Sequence, residues 1–94
     1  MSYARMNKMT FVSKDAADEV EASYAATAPD TFADATILIF ARTGDTTASL
    51  TSIYPDKDSF ERSAAARKTR MASMAERIAD VAMEEGEVAL AFVR

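Results

Sequence analysis

The feature that most constrains the fold of this chain is the order in which helix caps, turn residues and breakers follow one another. Ser13 and Asp15 stand where a first helix can open and Pro29-Asp30 where it can close. Thr43-Gly44-Asp45-Thr46 separates two β-rich runs, Tyr54-Pro55-Asp56 marks a second helix start, and Gly86 precedes a terminal apolar run. Combined with hydrophobic periodicity, that punctuation predicts β-α-β-β-α-β, the split βαβ arrangement. A chain of 94 residues is long enough for one domain and too short for two, so residues 1–94 are read as a single unit. At this length roughly 60–65% of the unfolded surface is buried on folding, and a self-interface would add to a modest core.

The individual elements follow from side-chain spacing. Between Ser2 and Val12, Tyr3, Arg5, Asn7, Met9 and Phe11 fall on one strand face and Ala4, Met6, Lys8, Thr10 and Val12 on the other. Ser13 is placed to accept from an amide of the first helical turn, and Asp15 complements the positive end of the helix dipole. Ala16, Val20, Tyr24 and Thr27 or Ala28 give that helix its apolar stripe, with Asp18, Glu19 and Glu21 on the wet side. Ala35–Arg42 is β-branched, aromatic and almost continuously apolar, which predicts a strand packed on both faces and the best buried of the set. Gly44-Asp45 is expected to supply positive φ angles for a hairpin to a Thr/Ser-rich strand ending at Tyr54. Pro55 stops that strand, and Asp56 caps a second helix with Phe60, Ala64, Met71, Met74 or Ala75, and Ile78 along its buried side, running to about Ile78. Residues 79–86 stay open between more helix and an irregular return, and the last strand is expected over Glu87–Val93. The resulting class is an α+β, ferredoxin-like sandwich: a four-stranded antiparallel sheet with two helices on one face. Its bare face calls for a sister subunit, and a homodimer is expected.

Composition excludes several functions. The formal charge of −4 repels phosphate backbones, so nucleic acid is not expected as a partner. The densest basic segment, Arg62 with Arg67, Lys68 and Arg70, is diluted by acidic neighbours and reads as a solvated helix face in preference to an anion site. The sequence contains no cysteine and no histidine, which removes disulfides, thiolate nucleophiles and the commonest general bases and metal ligands. No metal site is expected. With two glycines neither a phosphate loop nor a dinucleotide fingerprint can be written, so no cofactor is expected. No apolar run approaches the ~20 residues of a membrane span, and the N-terminus has no apolar core of a signal peptide. A cytoplasmic protein without membrane partners is the expectation.

A few side chains remain as candidates for chemistry. Asn7 shares its strand face with Met9 and Phe11, so its amide is carried inward, where it either satisfies a local backbone group or meets a substrate. Tyr24 and Tyr54 either pack or present hydroxyls to a cavity. Met71 and Met74 belong to a set of six methionines and either fill the core under the second helix or wall a pocket for a flat apolar ligand. Arg67, or Lys68, either snorkels over the core edge or neutralises an acidic or phenolate ligand at the pocket mouth.

Two segments carry a family resemblance. Asn7-Lys8-Met9-Thr10-Phe11-Val12, followed by a polar turn and the acidic helix start Asp15–Glu21, is similar to the opening of antibiotic biosynthesis monooxygenase-like domains of the dimeric α+β barrel superfamily. Ser52-Ile53-Tyr54-Pro55-Asp56-Lys57-Asp58-Ser59-Phe60-Glu61 resembles the same family's strand-end aromatic, acidic turn and helix-opening Phe. Together the matches touch everything except the hairpin and the last strand. The resemblance implies a homodimer whose sheets face each other as a barrel, with a pocket between sheet and helices in each subunit. It also implies oxidation of polyphenolic or quinone-like compounds by dioxygen without a cofactor. Related haem-degrading members use an Asn, a Trp and a His. Asn7 matches the first, but Ser63 and Ser73 occupy the other two positions, so haem degradation is not expected.

Two functions are carried forward. One is a cofactor-independent monooxygenase-like enzyme on a small aromatic or quinol compound, with Asn7 and Tyr54 at the reacting centre and Tyr24, Arg67, Met71 and Met74 binding the substrate. The other is a non-catalytic dimeric module that binds a small molecule or serves as a structural partner.

Overall fold

The computed structural model describes residues 1–94. Its elements are β1 (Tyr3–Phe11), α1 (Lys14–Thr31), β2 (Ile37–Arg42), β3 (Thr47–Tyr54), α2 (Lys57–Arg62), α3 (Ala64–Met74), a 3-10 turn at Ala75–Arg77, and β4 (Ile78–Glu87). The four strands form one antiparallel sheet in the order β2-β3-β1-β4. The fold is the ferredoxin-like one, with the second helix divided in two.

α1 and α2 each begin after a residue whose side chain caps them. Ser13 Oγ accepts from the Ala16 amide at 3.0 Å, and Asp56 Oδ1 accepts from the Ser59 amide at 2.7 Å. Both supply a partner for an amide that the helix cannot satisfy internally. Period-two alternation turns Tyr3, Met9 and Phe11 of β1 and Ala48, Leu50 and Tyr54 of β3 toward the helices, where all six are buried. Ala16, Ala17, Val20, Tyr24 and Ala28 of α1 close over Met9, Phe11, Ala48 and Leu50, joined by Phe32 and Met74. A smaller cluster of Tyr3, Tyr54 and Phe60 sits under α2. Burial of each large apolar side chain contributes about 1.5–3 kcal/mol. The opposite face of the sheet carries no helix, and there Met6 and Ile39 remain 39% and 50% exposed.

Several expectations are corrected. Pro29 does not end α1; it lies in the last turn, where its missing N–H removes a single hydrogen bond, and the helix closes at Phe32, whose amide donates to the Ala28 carbonyl at 2.8 Å. The apolar run 35–42 is not the best buried strand. It lies at the edge of the pairing order, and only its Leu38 and Phe40 side packs on the core while Ile37 and Ile39 face the uncovered side. No residue in the chain has a positive φ. The Gly44 turn therefore does not need glycine for its backbone angle; a Cβ there would stand 2.7 Å from Thr47 Oγ1, so the requirement is space.

The second helix breaks at Ser63, whose ψ of 0° interrupts the regular ladder. Its amide donates to the Phe60 carbonyl at 3.1 Å and its hydroxyl to the Ser59 carbonyl at 3.2 Å. A serine hydroxyl that bonds back onto the preceding turn in this way bends a helix.

Residues 79–86, left open from sequence, are strand. They pair with β1 from Thr10↔Asp80 to Tyr3↔Glu87, with a bulge between Thr10 and Phe11. Ala, Met and Glu here favour helix in isolation, and pairing along an interior strand overrides that preference. Val88–Val93, expected as the last strand, has no regular structure because it runs past the end of β1, and Leu90, Phe92 and Val93 are exposed. Gly86 lies inside β4 and breaks nothing.

Candidate functional site

A cavity of about 50 Å³ lies between the helix-side face of β1 and β3 and the helices α1 and α3. At roughly 10–15 Å³ per water-sized position it has room for a few waters, or for a carboxylate and the near edge of a ring. Asn7, Tyr24, Tyr54, Arg67, Met71 and Met74, the six candidates from sequence, all line it. Strand alternation brings Asn7 and Tyr54 inward, the i, i+4 spacing on α1 aligns Tyr24 with Val20, and α3 presents Arg67, Met71 and Met74 along one stripe.

The polar groups of the cavity are unusual in how few partners they have. Asn7 Oδ1 and the Tyr54 hydroxyl are buried and make no hydrogen bond within the protein. Tyr54 is wholly inaccessible, held edge-on against Phe60 with ring centroids 5.5 Å apart. Buried polar atoms ordinarily find a partner, and each one that does not costs about 1–3 kcal/mol. Asn7 pairs with Leu50 on one side and Met83 on the other, so its backbone is satisfied while its side chain is not.

The helix break also serves the site. Ending α2 at Arg62 leaves the Phe60 carbonyl free of a full helical ladder, and Arg67 Nη1 donates to it at 2.8 Å. The Arg67 guanidinium lies 3.8 Å from the Phe60 ring centroid, a stacked cation–π arrangement. Arg67 thus packs on the core edge and lines the cavity with the same atoms.

Two arginines that the sequence did not single out as site residues, Arg5 and Arg70, also line the cavity. The reading of Arg67 and Arg70 as a solvated face is corrected: both are partly buried, and among the basic cluster it is Arg62 and Lys68 that are solvated. Burial and the like charge of Arg67 push the Arg5 guanidinium below its ordinary pKa, with Glu85 and Tyr54 acting the other way. Burial also lowers Arg70, against a smaller opposing effect of Tyr24. Tyr24 is pushed up by burial, partly offset by Arg70, so its phenol stays protonated at neutral pH. No carboxylate lines the cavity, and its net character is cationic. The signals for these residues were in the sequence: Arg5 shares Asn7's strand face, and Arg70 stands three residues after Arg67 and four before Met74 on one helix. No group of three or more acidic side chains is placed to hold a metal ion.

No protein-family profile matches the chain, and no curated protein matches it in sequence. Solved structures do match. A protein of unknown function from Nitrosomonas europaea superposes with a TM-score of 0.80 at 15% identity, over 99% of this chain and 94% of that one. A dimeric ferredoxin-like protein from an uncultured marine organism superposes with a TM-score of 0.79 at 11% identity, over the whole of both chains (100% and 100%). SnoaB, a cofactor-independent oxygenase from Streptomyces nogalater, superposes with a TM-score of 0.75 at 15% identity, over 99% of this chain and 98% of that one. No helix of the chain is long and apolar enough to cross a membrane. The strand order, the helix-side cavity and these superpositions agree that the chain has the ferredoxin-like fold found in antibiotic biosynthesis monooxygenase-like proteins.

Proposed function

We propose that this chain is a homodimeric, cofactor-independent monooxygenase-like protein acting on a small aromatic or quinol-type compound in the cytoplasm. The observation that carries the reading is the pair of buried, unpartnered polar atoms, Asn7 Oδ1 and the Tyr54 hydroxyl, in one cavity with Met71 and Met74. Groups held without protein partners are pre-organised to bond a ligand. The likeness in fold to SnoaB supports the reaction class, and the marine neighbour described as dimeric supports the assembly. The absence of cysteine is compatible with a reducing compartment.

In this reading the substrate supplies its own reducing power. An activated ring CH₂ loses a proton, the resulting carbanion reduces dioxygen, and the CH₂ becomes C=O with release of one water, so that CH₂ plus O₂ balances C=O plus H₂O. The protein's part is to exclude bulk water, orient the ring through Asn7 and Tyr54, and stabilise negative charge with the arginines around it. Oxygen uptake measured over a panel of anthrones and quinols with the metal-free protein tests this. Turnover that falls in Asn7→Ala and Tyr54→Phe supports it, and no uptake with any compound rejects it.

A second reading is a dimeric module that binds the same kind of molecule without turning it over. What favours it is that the cavity holds no carboxylate and the chain no histidine, so no side chain is an evident base near neutral pH.

A further inference from the structure

Arg70 is built into the cavity in an incomplete way. One end of its fork is fixed, because Nη1 donates to Thr27 Oγ1 on α1 at 3.0 Å. The guanidinium also lies 5.1 Å from the Tyr24 ring centroid and 5.9 Å from that of Phe32, beside two aromatic side chains. The remaining edge is not used: Nε and Nη2 are both buried and have no partner in the protein. Those two N–H groups point in parallel from one side of the guanidinium and match the two oxygens of a carboxylate. Arg70 is partly buried and no carboxylate lines this space to offset its charge, which is costly, whereas Arg5 has Glu85 as a neighbour.

We propose that the ligand of this cavity carries a carboxylate, bound in bidentate fashion by the Nε and Nη2 edge of Arg70, with Arg5 adding long-range attraction and Tyr54 and Asn7 left for the body of the molecule. The proposal rests on the cavity being the ligand site, and it narrows the compound to an aromatic acid. The flat Nε and Nη2 edge matches the two coplanar oxygens of a carboxylate. The anchored Nη1 explains why one edge alone is offered.

Calorimetric titration of the full-length protein with benzoate, benzamide and phenyl phosphate tests it. Benzoate should bind one per chain, at least tenfold tighter than the isosteric neutral benzamide and tighter than phenyl phosphate. Arg70→Gln should bring benzoate and benzamide level. Arg70→Lys, which keeps charge but loses the fork, should retain only part of the preference, and Lys68→Gln, on the exposed side, should retain all of it. The wild-type comparison of benzoate with benzamide needs no variant to fold. Equal binding of the two, binding of neither, tighter binding of phenyl phosphate, or an undiminished preference in a folded Arg70→Gln protein would each overturn the assignment. Oxygen uptake reads the other question independently. Turnover of neutral quinols without preference for acids keeps the enzyme reading and removes this one, while benzoate selectivity without turnover does the reverse.

Discussion

Arg67 stacks its guanidinium 3.8 Å from the ring centroid of Phe60 and donates to the carbonyl of that same residue at 2.8 Å, across the break between α2 and α3. One side chain therefore ties α3 back onto α2 where the ladder is interrupted, and the ring it covers is in turn 4.8 Å from Tyr3 and 5.5 Å from Tyr54. Phe60 is the post against which Tyr54 and Arg67, two residues of the cavity wall, rest.

Truncation of that post should be severe. Phe60→Ala removes a buried ring and three aromatic or cationic contacts, and chemical denaturation should report a loss of about 3–5 kcal/mol. Phe60→Leu, which keeps much of the volume, should cost clearly less. Equal losses for the two would mean that the site collapses rather than holding a void.

Stability and function should separate at Tyr54. Its hydroxyl has no protein partner, so Tyr54→Phe removes a desolvated polar group and should leave the unfolding free energy within about 1 kcal/mol of wild type or raise it. Oxygen uptake with a responsive quinol should fall at least tenfold in the same variant. A large stability loss would reveal a bond that the hydroxyl makes in solution.

Gly44 should be intolerant for steric reasons. Gly44→Ala places a methyl group 2.7 Å from Thr47 Oγ1, and that oxygen is already engaged by the Thr43 hydroxyl at 2.8 Å. Thermal unfolding should show a loss of about 1 kcal/mol in Gly44→Ala, relieved when Thr47→Ala is added. Because φ at this turn is negative, no further backbone penalty should appear in the double variant.

The start of α2 should be acid-sensitive. The Ser59 hydroxyl and amide both donate to Asp56 and hold its carboxyl below the usual aspartate range. A carboxylate lowered in the folded state adds stability that is fully present above its unfolded pKa and lost as the pH falls through the folded value. Unfolding midpoints should therefore decline below about pH 4 in wild type, with a shallower decline in Asp56→Asn, which caps without titrating. Parallel profiles would place the acid sensitivity elsewhere.

The bare face of the sheet should carry the self-association. In the proposed homodimer, light scattering should give about twice the 10.2 kDa chain mass, and Ile39→Glu, at a half-exposed position of that face, should return the single-chain mass while circular dichroism stays unchanged. A variant that remains dimeric would assign the contact to another surface.

Local chemistry in the sequence was enough to order the elements and to name six of the 13 residues that line the cavity. Ser13 and Asp56 cap where the side-chain types require it, Pro55 ends β3, and period-two alternation on β1 already aims Asn7 with Met9 and Phe11 toward the helices. Each of these depends on neighbours within a few residues, so the sequence carries it directly. What depends on distant partners had to wait for the tertiary structure. The run at Ile37–Phe40 is as apolar as an interior strand, yet which strand lies at the edge is set by pairing order rather than composition. Val81–Glu85 became a strand only because β1 offered it a free edge, and Val88–Val93 was left without one because β1 begins at Tyr3. Likewise Arg5, on the Asn7 face of β1, and Arg70, in the basic segment of α3, are 65 positions apart and nothing local relates them. Only the packing of α3 against the sheet brings both to the wall of one small space, where partial burial lowers the pKa of each guanidinium.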